Sequence, residues 1–462
     1  MAAMKPDTIH AVRRITRRGF LGCTAAGILI PEAGWAQDLT GILRRIQAPR
    51  FPDRDFNVQR YGATGDGKTN CREAFAKAIA ECHAAGGGRV VAPPGTYLSN
   101  GPIRLSSNVN LHVTEGATIR FGTNPADYLP AVLVRWESTR CYNYSPLIYA
   151  LQQENIAVTG KGTLDGQAQS FWGEWKAKQA PDQEALREMG AKGVPVEKRV
   201  FGDGHFLRPS LCEFQNCSNV LIEGVTMKHS PFWTMHPVFC ANVTIRGVRV
   251  QAGTTNDDGC DPDSCQDVLI EDCEFDTADD NISIKAGRDR DGWGGRPCEN
   301  IVIRRCHGIR SDANAYTIGS EISGGVRNIY ILDSSVGAAK SIVYVKTNSD
   351  RGGAVENLWV RGIRAETGDI CIQLQTDYKG VTGHSYPSQY RNFHFEDIQC
   401  RIARRAGIDS IGAAAKPIEE VYFKDITIES AGADLQIAET RKIEMRNVRI
   451  NGKIVSLPDE QR

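Results

Sequence analysis

Acidic residues crowd two short segments of this chain, at a spacing that could place several carboxylates in one site. Residues 256–261 read N-D-D-G-C-D, and residues 279–281 read D-D-N. Carboxylates that lie close together cannot all ionise easily, so one of them acquires a raised pKa. A protonated acid beside an ionised carboxylate is what glycoside hydrolysis requires. These two segments therefore predict that Asp258, Asp279 and Asp280 are catalytic residues.

A repeated strand pattern supplies the element that could bring these segments together. It opens with Asn or Asp, continues with an aliphatic residue and then alternates polar and apolar residues, with looser copies late in the chain. Its copies, called anchor strands below, begin at Asn155, Asn219, Asn242, Asp267, Asn300, Asn328, Asn357, Asn392, Glu420 and Lys442. From Asn219 onwards the intervals run from 22 to 35 residues. An alternating strand cannot bury its apolar face alone, whereas stacked copies bury one continuous core.

The interval length selects among repeat architectures. No 3.6-residue periodicity fills the intervals, which excludes helical repeats, and a propeller blade needs about 40 residues or more. The intervals fit one turn of a parallel β-helix, an all-β solenoid. We expect the Asn and Asp residues that open the anchor strands to form hydrogen-bonded ladders between turns rather than to take part in chemistry.

A second set of strands carries the acids. These acid-bearing strands begin at Trp233, Asp258, Asp280, Tyr316 and Val343. Neighbouring strands of one parallel sheet lie about 4.8 Å apart, so Asp258 is expected one rung from the pair at 279–280.

Two further interpretations of these acids remain open. Asp and Asn are common in turns, and clustered carboxylates also suit a hard cation such as Ca²⁺. Lys285, Lys346 and Arg351 are expected on the same or nearby rungs, and basic groups among several acids favour catalysis over the turn interpretation, while calcium binding stays open. No metal or other cofactor is expected.

The ends of the solenoid and one long interval need elements of their own. Residues 70–73, N-C-R-E, have the form of a capping box and open an amphipathic run to about Ala85. We predict a helix here that lies as a lid on the first coil, within an N-terminal cap at about 56–100. The charged stretch at about 173–206 falls between Asn155 and Asn219 and is predicted to be a long insertion over one face.

The start of the chain carries an export signal. Residues 16–21, T-R-R-G-F-L, match a twin-arginine pattern, and the apolar stretch at 20–30 is too short to span a bilayer of roughly 30 Å. Residues 34–36, G-W-A, suit cleavage before Gln37. The predicted protein is periplasmic or extracellular. Its predicted parts are a signal peptide at 1–36, a linker at 37–55 and a β-helix catalytic domain at 56–462.

The charge balance and the cysteine pattern exclude several classes of binding partner and site. The chain has 55 basic and 55 acidic residues, which argues against nucleic acid or an anionic membrane as its main partner. Its 14 cysteines show neither a disulfide framework nor a zinc-binding spacing, and those inside strand-like segments are predicted to be buried small hydrophobes. No stable membrane association is expected, and the sequence leaves the oligomeric state open.

Several motifs resemble glycoside hydrolase family 28, the polygalacturonases and their relatives. They are Y-G-A-T-G-D-G-K-T-N at 61–70, Y-N-Y-S-P-L-I-Y-A at 142–150 and S-P-F-W-T-M-H-P at 230–237, the last two being similar to exo-acting bacterial members. The family's N-T-D motif is matched by N-D-D at 256–258, and its D-D pair by residues 279–280. The resemblance implies a right-handed, single-stranded parallel β-helix and an inverting reaction, in which Asp279 is the general acid while Asp258 and Asp280 activate water. Inverting enzymes hold the acid and the base roughly 6.5–9.5 Å apart.

Two family motifs are altered. G-H-G is absent, and Asn314 falls near the position of its His. R-I-K becomes Y-V-K at 344–346, which removes an Arg that in the family holds a substrate carboxylate and leaves Arg351 as a partial substitute. Trp172 and Trp175 are aromatic candidates for sugar stacking, while Trp233 is assigned to packing. The predicted substrate-binding residues are Asn256, Asn281, Lys285, Asn314, Lys346, Arg351, Tyr378 and His236.

These observations give one leading hypothesis for function and two alternatives. The leading hypothesis is a hydrolase that cleaves α-linked galacturonic acid in polygalacturonan or rhamnogalacturonan, from a chain end, with pectic polysaccharide as its partner. The alternatives are a β-helix polysaccharide lyase that uses calcium and a non-catalytic glycan-binding solenoid. Replacing Asp258 or Asp280 by Asn is expected to lower activity by several orders of magnitude without a large loss of stability, since polar cleft residues contribute little to the core.

Overall fold

Three sheets of parallel strands run along the molecule, and successive turns of the chain add strands to each. The computed structural model describes residues 32–169, 172–379 and 385–457. Anchor strands pair one turn apart, so that Val243, Val268 and Ile301 share one register position. The predicted right-handed parallel β-helix is therefore confirmed, and its hand is the one that crossovers between parallel strands favour.

The strands fall into the anchor sheet, a middle sheet and the acid-bearing sheet. The anchor sheet contains Asp55–Asn57, Gly88–Ala92, Val109–Val113, Glu154–Gly160, Ser218–Glu223, Ala241–Arg246, Gln266–Glu271, Cys298–Arg304 and Val326–Leu332. The middle sheet contains Asp66–Asn70, Gly95–Ser99, Ala117–Phe121, Thr163–Asp165, Thr226–Lys228, Arg249–Gln251, Glu274–Thr277, His307–Ser311 and Ser335–Ala338. The acid-bearing sheet contains Ile103–Arg104, Ile148–Leu151, Cys212–Gln215, Met235–Val238, Ile282–Ile284, Asn314–Gly319, Ser341–Lys346 and Leu435–Ala438. Long strands pass through more than one sheet, namely Ala354–Gln375, Gln389–Ile411, Ile418–Ala431 and Thr440–Ile450, and Lys453–Ile454 ends the described strands.

The polar residues that open the anchor strands form the predicted ladder. Asn219 donates through Nδ2 to Oδ1 of Asn155 at 2.9 Å, and Asn242 donates in the same way to Asn219 at 2.7 Å. Asn219 has φ +54° and Asn242 φ +55°, a left-handed conformation that Asn tolerates better than most residues. The repeated Asn therefore serves the turn and the stacking between coils. All thirteen described cysteines are free and buried.

A helix closes the first coil. This helix, Arg72–Ala84, buries Phe75, Ala78 and Ile79 against the end of the core. The capping box predicted at its start does not form: the N-cap is Cys71, which makes no side-chain cap hydrogen bond. Asn70 instead accepts the backbone N–H of Arg72 at 3.1 Å, so its amide satisfies a free donor one position earlier than the capping pattern requires.

A second helix, Glu32–Arg45, occupies part of the segment predicted as a linker at 37–55. Leu39, Ile42, Leu43 and Ile46 follow helical spacing and pack on the outer face of the anchor sheet. The linker prediction is therefore wrong for residues 37–45, where an apolar stripe with a partner surface stabilises a helix. The proposed cleavage point before Gln37 lies inside this helix, whereas the twin-arginine pattern and the apolar stretch at 20–30 lie outside the described residues. None of the helices in the described ranges is long and apolar enough to cross a membrane.

Two segments project beside the acid-bearing sheet. One is an antiparallel hairpin, Val132–Trp136 with Thr139–Asn143, which the repeat does not indicate. The other is the predicted insertion, which holds 3₁₀ turns at Trp172–Ala177 and Val196–Lys198, a helix at Ala180–Lys192 and a strand at Val200–Phe201 that pairs with the hairpin. They share a small core that includes Trp136, Leu186, Phe201, Phe232 and Trp233. The remaining 3₁₀ turns are Val58–Tyr61, Pro125–Tyr128 and Asp289–Asp291.

Candidate active site

Stacking of two turns brings the three predicted catalytic carboxylates together. The backbone N–H of Gly259 donates to the carbonyl oxygen of Asp280 at 2.9 Å, which sets the two acidic segments on neighbouring rungs. One carboxylate oxygen from each of Asp258, Asp279 and Asp280 lies within 4.8 Å of the other two. All three residues line a cavity of about 290 Å³.

Asp280 is the most enclosed of the three and is held in its ionised form. Lys346 donates through Nζ to Oδ2 at 2.9 Å, and Asn314 donates to Oδ1 through its backbone N–H at 3.1 Å and through Nδ2 at 2.7 Å. Burial favours the neutral acid, but the charges of Lys346 and Lys285 and these hydrogen bonds lower the pKa of Asp280. A carboxylate has about four acceptor positions, so a position remains for a water molecule.

Asp279 is less enclosed than its neighbour, and its environment favours the protonated form. Burial, and then the charge of Asp280, raise the pKa of Asp279. Its Oδ1 accepts the backbone N–H of Asp280 at 2.9 Å, and its Oδ2 accepts Nδ2 of Asn256 at 3.2 Å. Adjacent carboxyl groups whose pKa values are shifted in opposite directions suit the roles of acid and base.

The side chain of Asn256 is oriented by two basic residues that were not among the predicted site residues. Lys176 donates through Nζ to Oδ1 of Asn256 at 2.9 Å, and Arg208 donates through Nη2 to the same oxygen at 2.8 Å. Arg208 is fully buried, and burial lowers its pKa to about 10. Lys176 belongs to the insertion, so the insertion helps to fix the amide that contacts Asp279.

A second buried carboxylate lies beside Asp258. Lys285 places Nζ 3.9 Å from Oδ2 of Asp258 and 3.7 Å from Oδ1 of Asp261. Burial, followed by the charges of Asp261 and Asp279, raises the pKa of Asp258, and burial raises the pKa of Asp261 to about 8. One ammonium group lies between two carboxyl groups, and we infer that one of them carries a proton at neutral pH.

Guanidinium groups line the cavity wall formed by loops that follow the acid-bearing strands. Arg351 donates through Nη1 to Oε1 of Glu321 at 2.8 Å, and Arg288 donates to the same oxygen at 3.2 Å. Burial favours neutral Glu321, but Arg351, Lys285 and Arg288 together lower the pKa of this carboxyl well below its usual range. One ionised carboxylate therefore gathers three cations at the cavity.

Glu137, in the turn of the hairpin, joins three separate segments at the cavity. Arg187 of the insertion helix donates to Oε2 of Glu137 at 2.6 Å, and Gln183 of the same helix donates to Oε1 at 2.5 Å. Arg288 lies 3.4 Å from the same Oε2. The hairpin, the insertion helix and the loop of Arg288 are thereby tied together at the cavity.

The structure sorts the predicted substrate-binding residues into two groups. Asn256, Lys285, Lys346, Arg351 and Tyr378 line the cavity together with the three acids. The cation of Lys346 also lies 5.3 Å from the ring centre of Tyr378. These five residues occupy the predicted place.

Three predicted substrate-binding residues do not line the cavity. Asn314 lies behind Asp280 and acts on it through hydrogen bonds. Asn281 is fully buried and donates to the backbone carbonyl of Arg310 at 3.0 Å. The side chain of His236 is also fully buried, with ring nitrogens 3.5 Å from Glu213 and 3.6 Å from Asp263. The structure therefore does not place Asn281 or His236 in the cleft. Asn281 hydrogen-bonds to Thr277 and to the backbone of Arg310, and the ring of His236 packs against Trp233, with the two ring centres 4.7 Å apart.

Three tryptophans also have surroundings that differ from the prediction. Trp233, predicted to be packing only, lines the cavity, and its ring centre lies 4.8 Å from Nζ of Lys285. Trp172 and Trp175 are buried, with their rings 5.0 Å apart, and hold the insertion to the main core. Neither is available to stack on a sugar.

Several cavity residues were not predicted because they lie outside the repeated strands. Glu137, Gln183 and Arg187 belong to the hairpin and the insertion, where no repeat indicates which side chain faces the site. Arg288 and Glu321 carried a usable signal, because each follows an acid-bearing strand within a few residues, as Lys346 and Arg351 do.

The acid trio brings one oxygen from each of three carboxylates within 4.8 Å of one another, a grouping that could contribute to binding a hard cation. Two buried ammonium groups already lie against it, at 2.9 Å from Asp280 and 3.9 Å from Asp258. These fixed positive charges disfavour a divalent cation at the same place. The absence of a metal requirement stays a prediction.

Comparison with known proteins identifies the family. The family model described as Glycosyl hydrolases family 28 matches residues 202–450, and a model described as rhamnogalacturonase A/epimerase, pectate lyase-like, matches residues 56–114. An exopolygalacturonase structure from Thermotoga maritima is 38% identical with a TM-score of 0.86, and the match covers 90% of this chain and 96% of that chain.

Two curated relatives agree with this match. A probable polygalacturonase from Vitis vinifera is 27% identical over 392 residues, covering 80% of this chain and 73% of the relative. An exo-poly-alpha-D-galacturonosidase from Dickeya chrysanthemi is 25% identical over 450 residues, covering 85% and 71%. The predicted resemblance is confirmed: this chain belongs to glycoside hydrolase family 28 and is a glycoside hydrolase on a parallel β-helix.

Proposed function

We propose that this hydrolase removes galacturonic acid residues from the ends of pectic chains, with inversion at the anomeric carbon. The observation that carries the proposal is an acid–base trio inside a cavity rich in cations. Seven of the described residues that line it are Lys or Arg, and five are Asp or Glu. Because the environments of Asp258 and Asp279 favour protonation, the cavity is suited to an anionic sugar.

Each carboxyl group has a chemical role in this proposal. Asp279 donates its proton to the glycosidic oxygen as the bond to the anomeric carbon breaks. A water molecule attacks the opposite face and gives its proton to Asp280, the carboxylate with the lowered pKa. Asp258 helps to hold that water. After product leaves, the proton gained by Asp280 passes to solvent and Asp279 is reprotonated.

Inversion needs a separate test, because geometry and resemblance differ on it. The nearest oxygens of the trio lie within 4.8 Å, whereas roughly 6.5–9.5 Å between carboxyl groups is typical of inverting enzymes. Retention requires an ionised carboxylate with a free oxygen as nucleophile. Asp280 is ionised, but Lys346 and Asn314 engage both of its oxygens, and this supports attack by water. Proton NMR of the first-formed anomer decides between the two.

The closed end of the cavity supports action from a chain end. Glu137, Arg187 and Arg288 join the hairpin, the insertion helix and a loop of the β-helix at the site. Such a wall stops a polymer from threading through. Two relatives named above carry "exo" in their names, which supports the same choice.

Product analysis on a substrate panel tests the proposal. Polygalacturonan, rhamnogalacturonan and their short oligomers are incubated with the wild type and with Asp279→Asn. We expect reducing ends and saturated monomers or short oligomers with the wild type, with at least about a thousandfold slower release by the variant. Unsaturated uronides that disappear on addition of a chelator would instead indicate a lyase.

We also propose that the chain leaves the cytoplasm by the twin-arginine route, because residues 16–21 carry that pattern. Replacing Arg17 and Arg18 by Lys should leave the enzyme in the cytoplasmic fraction, while the wild type is found in the periplasm or medium. Equal distribution of both forms would refute this route.

A further inference from the structure

Two exposed aromatic side chains lie side by side outside the catalytic cavity. Trp293 is 38% exposed and Tyr386 is 48% exposed, and no other Phe, Trp or Tyr in the described part of the chain is exposed. Their ring centres lie 4.2 Å apart with the planes inclined by 40°. They flank a second cavity of about 530 Å³. Exposed aromatic surface of this kind marks binding sites more often than it marks ordinary surface.

Hydrogen bonds hold this aromatic pair in place. Trp293 donates through Nε1 to the carbonyl oxygen of Arg351 at 2.7 Å. Tyr386 donates its backbone N–H to the carbonyl oxygen of Ser349 at 2.8 Å and accepts the backbone N–H of Gly352 at 2.7 Å. Gly352 has φ +67°, and a Cβ there would lie 3.3 Å from Nε1 of Trp293. Two loops from different turns are therefore held against the segment 349–353.

The same segment separates the aromatic cavity from the catalytic cavity. The side chain of Arg351 lines the catalytic cavity, while its carbonyl oxygen holds Trp293 beside the other. Lys416 carries the only charge among the described residues that line the aromatic cavity. Its Nζ donates to the carbonyl oxygen of Pro387 at 3.3 Å, and an ammonium group has three protons to donate.

We propose that Trp293, Tyr386 and Lys416 form an outer subsite that binds a galacturonic acid unit in the uncleaved part of the chain. The proposal rests on the proposed function, because it takes its ligand from the substrate assigned to the catalytic cavity. The apolar face of a sugar ring packs on the aromatic faces, and its carboxylate pairs with Lys416. The segment 349–353 borders both cavities, so this surface lies directly beside the catalytic cavity.

An outer subsite has a distinctive kinetic effect. It contacts a unit that does not react, so it binds the ground state and the transition state equally. Its loss raises KM for long chains and leaves kcat unchanged, and it leaves both parameters unchanged for a substrate too short to reach it. A residue that merely supports the cavity wall would change both substrates alike.

The test compares polygalacturonate with digalacturonate for the wild type, Trp293→Ala, Tyr386→Ala and Lys416→Met. Ile309→Ala is the matched control, since Ile309 is 47% exposed on the middle sheet, away from both cavities. We expect KM for the polymer to rise about tenfold in Trp293→Ala, with no change for the dimer and no change in the control. Equal effects on polymer and dimer, or no effect on either, overturn the proposal.

A binding measurement separates this proposal from the proposed function. In an Asp279→Asn background, hexagalacturonate and digalacturonate are titrated by calorimetry with and without Trp293→Ala. We expect about tenfold weaker binding of the hexamer and unchanged binding of the dimer. If the wild type hydrolyses neither substrate, the proposed function fails while this titration still decides the subsite. Unchanged hexamer binding overturns the subsite alone.

Discussion

Replacing Lys346 by Met tests whether the charge of Asp280 depends on one buried partner. At the Nζ–Oδ2 distance of 2.9 Å, two unit charges attract by about 6 kcal/mol at an effective dielectric constant of about 20. Desolvation of both groups offsets much of this attraction. Removing one partner leaves an uncompensated buried charge, so we expect Lys346→Met to lower the free energy of unfolding at pH 7 by about 3–5 kcal/mol.

This loss should depend on pH. The pKa of Asp280 is lowered in the folded protein, so its ionisation stabilises the fold above its unfolded pKa of about 4. That stabilisation is lost as the pH falls through the folded value. Without Lys346 the folded pKa rises, so the difference in stability between variant and wild type shrinks on acidification. For the same reason the acid limb of kcat/KM moves to higher pH.

Urea unfolding at pH 7 and pH 5, with kcat/KM over the same range, measures both effects. Lys340→Met is the control, since Lys340 is exposed in the turn before the strand that carries Lys346. Asp280→Asn should also destabilise the fold, contrary to the expectation from sequence, because it leaves Lys346 buried without a charged partner. The double variant should lose less than the sum of the two single variants. The reasoning is refuted if Lys346→Met and Lys340→Met differ by less than about 0.5 kcal/mol at pH 7.

Three further outcomes are expected. Asp279→Asn should retain far more activity on an aryl galacturonide with an acidic leaving group than on a galacturonan, because such a leaving group needs no proton, and equal losses on both would remove Asp279 from this role. A chelator should leave the initial rate of galacturonan hydrolysis unchanged, and a loss restored by calcium would contradict the absence of a metal requirement. Ile42→Ala should lower the free energy of unfolding by about 2–5 kcal/mol with kcat/KM unchanged, while Thr40→Ala on the exposed face of the same helix should not.

The repeat predicted the fold because stacking makes every coil obey the same rule. The alternation after Asn219, Asn242 and Asp267 fixes which side chains face inwards, and the ladder fixes the register. The middle sheet was not predicted, because its strands are only three to five residues long. Alternation cannot be recognised over so few residues. The helix at Glu32–Arg45 was not predicted, because its segment was interpreted as a linker and its apolar stripe was not recognised.

The site was predictable where it belongs to the strands and less so where it belongs to insertions. Asp258, Asp279 and Lys346 follow from rung and register alone. Glu137 and Arg187 do not, because their positions depend on how a hairpin and a helix fold over the coil. The position of His236 could not be predicted either, because its burial depends on Trp233, whose ring centre lies 4.7 Å away, and on the carboxylates of Glu213 and Asp263.

The altered family motifs become intelligible once their neighbours are known. Asp257, in place of Thr, accepts the backbone N–H groups of Gly253 at 2.5 Å and Ala278 at 2.8 Å, and so joins the two acidic segments. Burial raises the pKa of Asp257 to about 6, although both hydrogen bonds favour its ionised form, so protonation as the pH falls below that value relieves the cost of a buried charge and stabilises the fold.

The missing His and Arg are compensated from other positions. Asn314 occupies the region of the missing His, and its Nδ2 donates to Oδ1 of Asp280 at 2.7 Å, a bond that a ring N–H of His could also make, while its backbone N–H adds a second bond that either residue supplies. Tyr344 replaces the Arg, but Arg288 and Arg351 bring two guanidinium groups to the cavity from the loops that follow the strands. Both groups donate to Glu321, and under the proposed function they are the candidates to bind the carboxylate of a uronic acid.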